Sequence, residues 1–203
     1  MLDHLKILAL AFSVAAPQPQ PIYGKLGEAL SRAQTGEFGP RNGDLCDGNY
    51  EAPLLSAAAT GAFKTSGALW SSGARRIKVY EYEFGQTGGL SSTDCQVQYD
   101  VSHFGTTNIL TATAVVPNPL DGADGTCLAL FANNATTELT YTTAGVGLSL
   151  KSWGINQRGS YRWRALDDGD NLVIPASAGV GLGIRELSSN FTGSVVGNVS
   201  FVE

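Results

Sequence analysis

From residue 75 onward the chain is a succession of short runs in which apolar and polar residues alternate, separated by Gly, Asn, Asp and Pro. A period of two places successive side chains on opposite faces of a strand, so each run predicts a strand with one buried face. CQVQYDVS, residues 95–102, alternates most cleanly: Cys95, Val97, Tyr99 and Val101 face in, while Gln96, Gln98 and Asp100 face out. In RRIKVYEYEF, residues 75–84, Tyr80, Tyr82 and Phe84 share a side. Further runs are ILTATAVV (109–116), CLALFA (127–132), LTYTT (139–143), VGLSLKS (146–152), SYRWRA (160–165), NLVI (171–174), VGLGIREL (180–187) and SVVGNVSFV (194–202). Strands this short and regularly spaced, with no gap holding a convincing crossover helix, predict an all-β protein. The expected domain is an antiparallel jelly-roll-like β-sandwich over residues 75–203.

The segment INQRGSYRWRALDDGDNLVIP, residues 155–175, reads as a hairpin of two strands joined by an Asp/Gly turn. Tyr161, Trp163 and Ala165 alternate with Arg162 and Arg164, so the aromatics pack on one face and both guanidinium groups project from the other. Outward arginines of this kind, with Arg185 a third, can pair bidentately with carboxylates.

Residues 1–74 read differently, as an extended N-terminal arm. Leu2, Leu5, Leu8 or Ala9, and Phe12 recur at helical spacing, which predicts a short apolar helix needing a neighbour to cover it. The run is too short for a membrane span, and Asp3 weakens its likeness to a secretory leader, so we expect it to be retained. PQPQP, residues 17–21, is a stiff spacer, and LGEALSR, residues 26–32, has the length of a brief helix. A Gly- and Asp-rich loop over 36–49 and the small apolar residues of 53–73 complete the arm. Fixing each residue costs about 1–2 kcal/mol of backbone entropy, so the arm is expected to order against another polypeptide.

Composition narrows the function. Only 15% of residues are charged and 43% are hydrophobic, leaving a largely neutral surface suited to contact with protein. A net charge of -5 and no basic run longer than the Arg75/Arg76 pair argue against a nucleic-acid binder, and no nucleic-acid or membrane partner is expected. Cys46, Cys95 and Cys127 show no C-x-x-C spacing, which implies neither a disulfide framework nor a zinc site.

Catalytic signatures are sparse. His4 and His103 have no triad-like surroundings, and no G-x-S-x-G elbow follows a strand. Asp167, Asp168 and Asp170 with Asn171 fail the calcium-loop spacing and read as a turn, as do Asp121 and Asp124. Paired carboxylates of a glycoside hydrolase would have to converge in a cleft, a weak alternative that the sequence leaves open. The sequons at Asn134, Asn190 and Asn198 read as chance matches, and no lipidation signal is present. No cofactor or metal is expected.

With those residues in view, six segments carry a resemblance over about 130 residues in consistent order. They are RRIKVYEYEFG, VVPNPLDGADG, TTELTYT, INQRGSYRWRALDDGDNLVIPA, GVGLGIRELSSNFTG and the closing VSFVE. Together they resemble a family of tailed-bacteriophage virion structural proteins, small β-sandwich subunits. The resemblance implies a capsid decoration or cement protein on the virion surface, assembled in the host cytoplasm, with the major capsid protein and further copies of itself, as a homotrimer, as partners. Contacts are then expected from Leu5, Leu8 and Phe12 on the arm, from Trp70 at the junction, and from Arg162, Arg164 and Arg185. Each has a plainer reading: Trp70 as a core cap, the leucines packed within the chain, the arginines as idle surface charge. A tail or fibre knob binding a receptor or carbohydrate is the alternative function.

Overall fold

Tyr50, Ala52 and Leu54 alternate with outward residues and are almost wholly buried, which makes residues 49–57 a strand although they fall inside the expected arm. A computed structural model describes residues 48–58, 61–105, 111–141, 149–167 and 169–203. The leader helix, the Pro-rich spacer and the 26–32 helix expected before them lie outside the described residues. In chain order the strands are β1 (Asn49–Ala57), β2 (Lys64–Trp70), β3 (Ile77–Thr87), β4 (Gln96–Phe104), β5 (Thr111–Val115) and β6 (Asn118–Pro119). They continue with β7 (Leu130–Thr137), β8 (Ser149–Asn156), β9 (Ser160–Arg164), β10 (Leu172–Ile174), β11 (Gly181–Ser188) and β12 (Ser194–Val202). The described residues contain no helix.

Two antiparallel sheets result. In the first the order is β10-β3-β12-β1-β6, with β9 also on β3; in the second it is β5-β7-β2-β11-β4-β8. The ladders are nested: β1 pairs β12, β2 pairs β11, β3 pairs β10 and β9, and β4 pairs β8. The chain thus behaves as one long hairpin whose arms alternate between the sheets. β5, β6 and β7 are inserted near its tip and extend the second sheet beyond β2 and the first beyond β1.

This nesting corrects the boundary drawn at residue 74. β12 needs β1, and β11 needs β2, so Pro53 to Gly73 supplies sheet interior rather than an arm. Its Ala, Ser and Gly residues carry weak strand propensity, but the packing requires small side chains. A Cβ at Gly67 would come within 2.7 Å of Leu54 Cδ1 and 3.0 Å of Phe131 Cζ.

The facing sides of both sheets form a single core containing Phe84, Val97, Tyr99, Phe131, Ile174, Phe191, Val195 and Phe201. Each large side chain buried there contributes about 1.5–3 kcal/mol. Three details depart from simple alternation. Between Ser200 and Phe201 the β12 register slips against β3, leaving Tyr80 as an extra residue. Its partial exposure separates it from Tyr82 and Phe84, which are buried on the core side. The expected hairpin of 155–175 is not one: β9 and β10 do not pair with each other, and both pair along β3. Ala165 N–H donates to the Tyr80 carbonyl (2.8 Å), which carries the β9 edge one residue further along β3. Finally, Leu139 and Tyr141 are not in a strand; they cover the outer face of the second sheet.

Candidate assembly surface

Trp163 stands opposite Tyr82 and Tyr161 opposite Phe84, so the β9 aromatics face the core as the alternation predicts. Arg162 and Arg164 project from the other face, 58% and 70% exposed, and both reach Glu81. Arg162 Nη2 lies 2.6 Å from Glu81 Oε1, and Arg164 Nε lies 3.7 Å from Oε2. Pairs this exposed are each worth about 0–1 kcal/mol. One carboxylate shared between two five-donor forks leaves both arginines with donors for an incoming acceptor.

Arg185 sits in a different setting. On β11 it faces Asp100 of β4, and its Nε (3.0 Å) and Nη2 (2.5 Å) both donate to Asp100 Oδ1. Nη2 also donates to Ser102 Oγ (3.1 Å), while the hydroxyls of Ser102 and Ser149 donate to the same carboxylate. The guanidinium carbon lies 4.3 Å from the Tyr141 ring centroid and 5.3 Å from that of Phe63. Its neighbours are therefore intramolecular: a buried carboxylate, the Ser102 hydroxyl and two rings.

Around this network a second layer covers part of the sheet. Glu138 accepts from the Thr65 N–H (2.8 Å) and hydroxyl (2.6 Å), and Thr65 Oγ1 lies 3.1 Å from Tyr141 Oη. Burial pushes the Tyr141 hydroxyl above its ordinary range. Phe104, Ala68 and Leu139 are buried beneath, with Trp70 packed partly against them. Trp70 thus packs against the margin of a small outer core.

Among the described residues the cover stops beyond Trp70. Leu130 of β7 lies opposite Trp70 and is 46% exposed. Val116, directly after the Val115–Phe131 pair, is 74% exposed. An apolar row therefore runs across the sheet from buried Phe104 through Trp70 and Leu130 to open Val116. Leu5, Leu8 and Phe12, the other expected contacts, lie outside the described residues.

The remaining candidate chemistry resolves into structure. Trp153 stacks on Tyr161 (4.6 Å), Tyr82 (5.3 Å) and Tyr99 (5.5 Å), and Trp163 stacks on Tyr82 (4.8 Å), with Lys151 Nζ 5.5 Å from the Trp163 centroid. Ring faces taken up largely by one another make core packing, with Tyr161 and Trp163 left partly exposed at its margin. His103 Nδ1 lies 3.3 Å from the Gly181 carbonyl oxygen. Asp167 accepts from the N–H groups of Gly169 and Asp170, as a turn requires; Asp168 lies outside the described residues. Among the described residues no three His, Cys, Asp or Glu side chains could together hold a metal ion. Asn134 adopts φ 55° and its Oδ1 accepts from Lys64 Nζ (2.6 Å) and the Ala57 N–H (3.3 Å), so that sequon residue is structurally engaged.

Sequence reasoning missed one buried clamp. Glu203, 2% exposed, accepts the N–H groups of Leu128 (2.5 Å) and Ala129 (2.7 Å) through its two carboxylate oxygens. Nothing in the flanking VSFVE marks it. Comparison with known proteins adds no identity: no family model matches the chain, and no curated protein is similar enough to count as a match.

Proposed function

We propose that this chain is a non-enzymatic structural subunit of a tailed-phage virion, a decoration protein that binds the major capsid protein and further copies of itself on the head shell. The observation that carries the reading is the open apolar row on the second sheet, ending at Val116 and Leu130. Exposed apolar side chains such as Val116 and Leu130, beside a buried polar network, fit a protein neighbour better than a small polar ligand. The nested ladders support a jelly roll, with β1-β12-β3-β9/β10 over β2-β11-β4-β8 as its eight strands and β5–β7 as an insertion. Jelly rolls serve in capsid and lectin domains alike, so the surface rather than the fold weighs between them. Arg162 and Arg164 add donors for acidic side chains of a shell protein. The contribution to the virion is contact area across capsomer boundaries, which resists internal genome pressure.

Particles lacking the protein test this: they should lose integrity at lower temperature than complete particles and regain it when purified protein is added back. Unchanged thermal resistance would overturn the reading. A carbohydrate-binding knob is the second reading, favoured by the partial exposure of Tyr161 and Trp163 at the seam between β8 and β9. Binding to a host-surface glycan array, absent from the Trp163→Ala variant, would support it over the first.

A further inference from the structure

Sheet edges need protection, because their outward N–H and C=O groups template pairing with another chain. Among the described residues, three of the four sheet edges carry it. β8 has Lys151; β9 and β10 have Arg162, Arg164 and the following Pro175; β6 is flanked by Pro117 and contains Pro119. β5, TATAV, has neither charge nor proline. No Asp, Glu, Lys or Arg occurs between Asp100 and Asp121, and β7 beside it carries none either. Among the described residues β5 pairs with β7 alone, and most of its side chains are exposed. It belongs to the insertion outside the nested ladders, and the open end of the apolar row, Val116 and Leu130, adjoins it.

We propose that β5 is a self-association edge, where it pairs antiparallel with β5 of a second copy of this chain across a two-fold axis at Thr113. A second copy is favoured over a foreign strand because the segment is self-complementary. In a chain of net charge -5, identical surfaces meeting here bring no like charges together. Thr113 then faces Thr113, and Ala112 faces Ala114, all small enough for close approach. The pairing continues the second sheet through both copies and brings the two apolar rows toward the same junction. It yields an even-numbered assembly in place of the trimer that the resemblance implies.

The interface deepens the assembly reading and rests on it only for its biological setting. The purified full chain tests it by sedimentation equilibrium, with circular dichroism as the folding control. The native chain should sediment at twice 21.2 kDa. Thr113→Lys and Thr113→Glu, each placing like charges face to face, should weaken self-association by about tenfold or more, and their equimolar mixture should restore it. Ala114→Lys provides a second variant on the other face of the strand. A monomeric or trimeric native chain, or folded charge variants that associate as tightly as the native, would overturn the proposal. Particle composition judges the virion reading separately, so the two can fail independently.

Discussion

Arg185→Leu removes the guanidinium that holds Asp100 and keeps a side chain able to pack between Phe63 and Tyr141. The two side chains are 18% and 5% exposed, so Asp100 would be left as a buried carboxylate facing an apolar group. Breaking one side of a buried pair costs about 3–5 kcal/mol. The Ser102 and Ser149 hydroxyls still donate to Asp100, which places the expected loss near the lower end, at about 3 kcal/mol. For a domain of this size that corresponds to a fall in Tm of roughly 6–12 °C. Differential scanning calorimetry and urea titration should agree on the loss. The double variant Asp100→Leu with Arg185→Leu should recover at least half of it, because both charges have then left the low-dielectric layer. A fall below about 1 kcal/mol for the single variant would refute the reasoning and return Arg185 to the class of weak surface charges.

Gly183→Ala should lower stability by about 1–3 kcal/mol, since the added methyl runs into the Tyr141 hydroxyl and the ring end that carries it, and Tyr141→Ala in the same background should relieve the clash in a thermal melt. Glu203→Ala leaves the Ala129 N–H, in a residue 3% exposed, without its acceptor; a loss of about 1–3 kcal/mol is expected by urea denaturation. Alkaline pH should destabilise the fold. Burial pushes the Cys127 thiol up to about 12 from 9.0 and raises the Tyr82, Tyr99 and Tyr141 hydroxyls from 10.0. Folded-state values above the unfolded ones keep the associated stability intact below pH 9 and remove it as pH climbs toward 12. Tm should therefore fall progressively above pH 9, and a Tm rising across that window would contradict the burial of these groups.

Much of the fold was legible because one alternation rule holds along the later strands. Val97, Tyr99 and Val101 face the core as read, and Tyr161 and Trp163 oppose Arg162 and Arg164 as read. β1 and β2 escaped notice because Ala, Ser and Gly populate them, and such residues announce a strand only through what packs against them. Tyr80 was misplaced by a one-residue bulge, which shifts parity without leaving a mark in composition. Asp100 and Arg185 were rightly placed on the outward face. That this face lies beneath Tyr141 was invisible, because the cover comes from a segment far outside the sequence window of either strand, where no local pattern reports it. The open row at Val116 and Leu130 likewise depends on which strands become neighbours.

Quantitative mass spectrometry of purified virions tests the central claim most directly, by measuring the ratio of this chain to the major capsid protein. A decoration protein on the head shell should be present in a fixed ratio to the major capsid protein, at head-shell abundance, and missing from isolated tails. A chain found at the copy number of tail components, or absent from the particle, would contradict the account.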